Sequence, residues 1–197
     1  MGVLDQETKK ILLFAQFEYD LKQEFEHSIK DRVERYVSVY QWQFTPYTHF
    51  APVSAEGRLL YRDGYFFACI ALCQSVAEAL SRFLCDKFFK SGPNDHTRRV
   101  KRLRKHKKIS VESEASFENI HEHRNDFHHL SPETPTEREK LREIALGALR
   151  ELSRIENEVF AFSLKDGVLI PKYSELWRPE TLEALRKAND GVSRDQG

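Results

Sequence analysis

HEHRNDFHHL, residues 121–130, holds four of the chain's eight histidines together with an arginine, a glutamate and an aspartate. Histidine transfers protons near neutral pH because its unperturbed pKa is about 6.5. A guanidinium keeps its proton there and grips phosphate or carboxylate oxygens in a forked geometry. Together the two residue types suit proton transfer at an anionic centre whose growing charge must be neutralised. Two other readings compete. The imidazoles with Glu122 or Asp126 could hold a metal, but His121 and His123, one residue apart, point to different sides of a helix, whereas zinc helices space their ligands by three or four. Alternatively, Arg124 pairs with a buried acid and the histidines finish a helix end.

Elements long enough to position such a cluster are present. The chain has 197 residues, enough for one domain with a sizeable core. Lys+Arg and Asp+Glu balance at 31 each, so any polyanion footprint must be local. The N-terminus MGVLDQETKK has no basic region leading into an apolar core, and no stretch approaches eighteen uninterrupted apolar residues. The chain is therefore expected in the cytoplasm, without membrane contact. Cys69, Cys73 and Cys85 share one apolar segment, which suggests reduced core thiols in place of a disulfide framework or a metal knuckle.

Helical periodicity dominates. From Gln6 to about Val39, Ile11, Phe14, Phe17, Leu21, Phe25, Ile29, Val33, Tyr36 and Val37 recur at threes and fours. An aromatic, proline-containing loop follows at 41–52. A second long helix is expected from Ser54 to Phe89, apolar on every face through YFFACIALC and therefore central in a bundle. SGPN ends it, and a basic helix follows at 96–110. SVESEASFEN opens a helix expected to run through the histidine-rich stretch to Ser131-Pro132. Leu141, Ile144, Leu149, Leu152, Ile155 and Val159 mark another helix over 134–162. SLKDGVLIPKY allows a short Asp-Gly hairpin, and a brief helix from Pro179 with a disordered tail closes the chain. The fold class is all-α, an up-and-down bundle forming one domain over 1–178, with 179–197 as helix and tail.

Projected on a helical wheel, Arg124 falls between Phe117 on one side and Ile120 and Phe127 on the other, so the arginine lies inside the core-facing stripe. His128 and His121 flank Arg124 on the same face, just past Phe117. His129 points well away from it and reaches Arg124 only where the helix end loosens before Pro132.

Arg124-Asn125-Asp126-Phe127-His128-His129 resembles the signature of the HEPN superfamily (higher eukaryotes and prokaryotes nucleotide-binding): an arginine, a favoured polar follower, and a histidine after a four-to-six-residue spacer. Some branches also carry a glutamate and a basic residue four apart on an earlier helix, which Glu78 and Arg82 resemble. The similarity covers about 54–162, with the helix at 6–39 as an elaboration. It implies a metal-independent, cofactor-free endoribonuclease. It further implies a homodimer, a place among toxins or anti-phage effectors, and control by an antitoxin or regulatory protein. A silent nucleotide- or RNA-binding or scaffolding module is the alternative, against which the intact Arg124/His129 pair argues.

By family spacing His129 is the general acid/base, with His128 its geometric rival. Arg124 is the phosphate clamp, Asn125 the orienter, and Glu78, Arg82 and His121 are auxiliary. The expected RNA footprint is RRVKRLRKHKK, 98–108, where eight of eleven residues are basic and none acidic: Arg98, Arg99, Lys101, Arg102, Arg104, Lys105, Lys107 and Lys108. Such a run repels itself and is eased by a polyanion.

Overall fold

Short polar side chains start several of the helices. In the computed structural model, which describes residues 5–40, 45–46, 48–122, 124–129, 131–132, 134–165 and 168–194, Asp5 accepts the Thr8 amide at 2.9 Å and opens α1, Gln6–Val39. Pro52 in the first turn suits the start of α2, Ala51–Asp63. After α3, Phe66–Phe89, Asp95 caps α4, His96–Lys105, through the Arg98 amide at 2.8 Å. Ser110 caps α5, Val111–Glu122, through the Ser113 amide at 3.0 Å. There follow α6, Arg124–His129, α7, Arg138–Val159, and α8, Pro179–Arg194. Helix makes up 76% of the described residues, and the all-α expectation holds at that level.

The expected hairpin is present as β1, Phe162–Lys165, antiparallel to β2, Val168–Pro171, with Phe162 opposite Pro171 and Lys165 opposite Val168. Its Asp166-Gly167 turn lies outside the described residues. Trp177, 7% exposed, packs against Phe160 and Phe162 and ties the hairpin to the bundle.

Two boundaries differ from the sequence reading. The long helix expected over 54–89 is two helices, because Gly64 adopts φ 82° and caps α2 by donating its amide to Leu60 and Tyr61 carbonyls. The brief C-terminal helix continues to Arg194, where a disordered tail was expected. Within the helix expected to cross the histidine-rich stretch, His123 lies outside the described residues, and the backbone is helical on both sides of it, in α5 and α6.

The core surrounds α3, which packs against α2, α4, α5, α6 and α7. By length and composition α3 would suit a membrane span, yet its Cys69, Ile70, Cys73, Leu80, Leu84 and Cys85 are buried in the bundle, and all three thiols are free. Helix α5 runs antiparallel to α7, as Ser116 binds Glu151 and Ser110 binds Glu158. The deeply buried Glu156 of α7 accepts the Ser54 hydroxyl of α2 at 2.7 Å. Burial pushes its carboxyl upward, against that hydrogen bond and Arg58. Helix α1 leans on the bundle through its C-terminal part: Arg35 donates to the Arg62 carbonyl at 2.7 Å, and Val39 is buried.

Candidate active site

Phe127 fixes α6. Its ring is 3% exposed and lies 5.4 Å from that of Phe67 on α3. The Ser131 amide donates to the Asp126 carbonyl at 3.1 Å, a reach of five residues, and the Thr134 hydroxyl donates to the same oxygen at 2.7 Å. That wide closure is how a helix unwinds at its end. It lies beyond His129, whose backbone is still helical. The backbones of Arg124, Asn125 and His129 belong to α6; their side chains lie outside the described residues. His128 is exposed.

Directly before α6, the last turn of α5 meets the first turn of α4. His121 stacks on His96, with ring centroids 4.6 Å apart and planes at 25°, and Phe117 meets His96 edge-on. His96 is 6% exposed, and its Nδ1 lies 3.1 Å from Ser81 Oγ. Ser81 donates its one hydroxyl proton to the Glu78 carbonyl at 2.8 Å. Nε2 of the same ring is buried without a hydrogen-bond partner.

Arg99 completes the cluster. It is 1% exposed; its Nε donates to Ser81 Oγ at 3.1 Å, and its Nη1 donates to the carbonyls of Pro93 and Asn94 at 3.1 and 2.6 Å. Its Nη2 lies 3.7 Å from Glu78 Oε1, the same oxygen that Arg82 approaches at 4.0 Å. The auxiliary residues Glu78, Arg82 and His121 thus lie around one centre whose middle is His96, Ser81 and Arg99. Burial above all, then His121 and Arg99, lowers the His96 pKa to about 4, so its ring is neutral at pH 7.

His96 and Arg99 were not legible as members of this site, and Arg99 was grouped with the RNA-binding run. Arg99 is instead turned inward. The signal that could have found it is spacing: His96, Arg99, Val100 and Leu103 follow the i, i+3, i+4, i+7 pattern of a buried helix face, and all four are buried.

The rest of the basic run divides by environment. Arg102 lies over the Phe89 ring at 4.4 Å and donates to the Ser91 carbonyl. Arg104 meets Glu114 at 3.6 Å, and Lys108 lies over Phe88 at 4.3 Å. Arg98, Lys101 and Lys105 are exposed at i, i+3 and i+7 and form one basic face on α4, with Lys107 exposed in the turn after it. This face begins at the same end of α4 as the His96–His121 stack.

Between α3, α5 and α7 lies a cavity of about 250 Å³ lined by Ile70, Gln74, Asn119, Ile120, Ile144 and Gly147, among others. It is next to the cluster along both walls, since Gln74 precedes Glu78 by one turn and Ile120 precedes His121. Gln74 Oε1 is buried without a hydrogen-bond partner. Among the described residues, no three His, Cys, Asp or Glu side chains converge as metal ligands.

The arrangement can hold charge and fix ring orientations beside α6. Compared with family models, curated proteins and solved structures, the chain matches none of them.

Proposed function

We propose that the protein is a metal-independent endoribonuclease of HEPN type. The observation that carries this reading is the position of α6, with Arg124, Asn125, His128 and His129, immediately after His121 in a cluster built from His96, Ser81, Glu78 and Arg99. A ribose 2′-hydroxyl attacks the adjacent phosphorus, forming the 2′-O–P bond as the P–O5′ bond breaks. One imidazole takes the 2′ proton and a protonated one supplies a proton to the departing 5′-oxygen, leaving a 2′,3′-cyclic phosphate and a 5′-hydroxyl. His129 serves as acid/base, with His128 as its rival. Arg124 neutralises the charge on the five-coordinate phosphorus, and Asn125 orients. The face of Arg98, Lys101 and Lys105 holds the RNA backbone by counterion release. The reading includes a cytoplasmic homodimer whose motifs face a shared cleft, acting as a toxin or anti-phage effector under an antitoxin or regulatory protein.

A second reading, an RNA- or nucleotide-binding module without cleavage, has one observation in its favour. His96, the histidine held most firmly in the cluster, is neutral and nearly inaccessible, so it exchanges no proton with a substrate. Incubating the purified chain with mixed RNAs in EDTA separates the two. Fragments ending in 2′,3′-cyclic phosphate support the nuclease; binding without fragments supports the module, and cleavage only with added divalent metal rejects this mechanism.

A further inference from the structure

Gln74 of α3 is 5% exposed, and its Oε1 is buried without a hydrogen-bond partner. An amide oxygen left in that state destabilises the fold, and a leucine of similar size would avoid the cost. Its position shows what uses it. Gln74 lines the cavity of about 250 Å³ between α3, α5 and α7, beside Ile70, Ile120 and Ile144. The terminal amide torsion of glutamine is broad, so a turn of that group presents its oxygen to the cavity.

The α7 wall of the same cavity carries a second feature that the chain's own packing leaves unexplained. Gly147 lies inside a helix of 22 residues, where glycine is weaker than alanine, and a Cβ built there meets nothing within 4 Å. No neighbouring side chain needs the missing methyl group. A body entering the cavity does, because glycine lets it approach the α7 backbone closely.

Size and chemistry narrow the occupant. A cavity of about 150 Å³ takes benzene, so this one has room for a flat bicyclic ring with aliphatic side chains against its faces. A carboxamide sets an acceptor beside a donor, which matches a ring edge carrying an amino group next to a bare ring nitrogen, the pairing by which glutamine holds adenine. Glu151, tied by its Oε2 to Ser116 and Arg154 at 2.5 Å each, adds a carboxylate to the lining and favours amino groups over carbonyls at that edge. We infer that the cavity binds an aminopurine ring, its amino group donating to Gln74 Oε1 and its ring nitrogen accepting from the Gln74 amide. The ring arrives as a free nucleoside or as an unstacked base of an RNA strand, and the second source rests on the RNA reading above. A base held here lies beside the motif helix, since Ile120 stands four residues before Arg124.

Equilibrium dialysis of the full chain against adenosine should show one saturable site with a Kd between about 10 µM and 1 mM. Purine riboside, which lacks the amino group, and indole, which lacks the ring acceptor, should each bind about tenfold more weakly or worse. Gln74→Leu should keep or raise the thermal midpoint, because it removes an unpartnered polar atom, and should no longer distinguish adenosine from purine riboside. Gly147→Phe should bind neither. Oligoadenylate and oligouridylate with 2′-O-methyl riboses, which block cleavage, assign the source. An oligoadenylate preference that Gln74→Leu abolishes makes the ring a strand base; equal binding of the two oligomers beside saturable adenosine binding makes it a free nucleoside. Absence of both adenosine binding and oligoadenylate preference overturns the inference, as does purine riboside or indole binding as tightly as adenosine, or discrimination that survives Gln74→Leu. Cleavage in EDTA alongside any of those results leaves the nuclease reading standing without this pocket. Adenosine binding by a chain that cuts no RNA supports the pocket and removes the nuclease.

Discussion

The imidazole of His121 lies on that of His96, centroids 4.6 Å apart, and the buried ring of the pair stays neutral, its pKa held to about 4. In the unfolded chain the same histidine titrates near 6.5. Between those values the unfolded state binds a proton that the folded state refuses. Stability contributed here is complete above about pH 6.5 and lost as pH falls toward about 4, by up to about 3 kcal/mol. His96→Gln, which cannot titrate, should flatten that part of the profile. Urea midpoints at pH 7 and pH 4.5 measure it; equal slopes for wild type and variant would place the acid sensitivity elsewhere.

Arg99 and Lys101 sit two residues apart and should behave oppositely. Arg99→Ala leaves the Pro93 and Asn94 carbonyls without their Arg99 donor, removes one of the partners of Ser81, and should destabilise the fold by more than about 2 kcal/mol. Lys101→Ala, on the exposed face, should stay within about 0.5 kcal/mol. Replacing Arg98, Lys101 and Lys105 together by Gln should reduce the slope of log K against log salt for single-stranded RNA by about 0.7 per charge. An unchanged slope would make this face merely solvated.

For the motif helix, His129→Ala should lower cleavage by about 10²–10⁴ while leaving fold and RNA affinity intact, and His128→Ala should keep most activity. The reverse outcome would assign the acid/base role to His128. Should neither matter while Arg124→Ala unfolds the protein, the cluster is structural and the nuclease reading is lost.

Gly147 lies inside α7, and a Cβ built there meets nothing within 4 Å. Its glycine therefore weakens the helix by about 0.5–1 kcal/mol without relieving a clash. Gly147→Ala should raise the thermal midpoint by a few degrees. Gly147→Phe, which reaches into the neighbouring 250 Å³ cavity, tests whether that space is used: RNA affinity or cleavage should fall with the fold unchanged.

How far these features were readable from the chain varies with their physical origin. The faces of α1 and α7 were legible because amphipathic period survives in sequence. The break at Gly64 was not, since apolar residues continue on both sides of it and a lone glycine is tolerated inside helices. His121 and Glu78 were singled out by residue type, but what gathers them, Ser81 and Arg99, depends on α3 meeting α4 across the Gly92 turn. That turn is itself tight: a Cβ at Gly92 would stand 2.7 Å from the Cys85 Cβ. Composition alone made Arg99 one more basic residue in a surface run; its inward position is a property of the helix face.

The central place of α3 has a consequence for how the chain is made. During synthesis this helix, apolar enough to suit a lipid bilayer, is complete at Phe89, while α7, which packs along it, spans Arg138–Val159. At about 5–20 residues per second the ribosome needs several seconds to supply that cover. For that interval the nascent chain carries a naked, sticky rod shielded by α2 and whatever of α1 has already folded, so a chain cut short before α7 should clump or fall to chaperones and proteases instead of persisting as a smaller bundle.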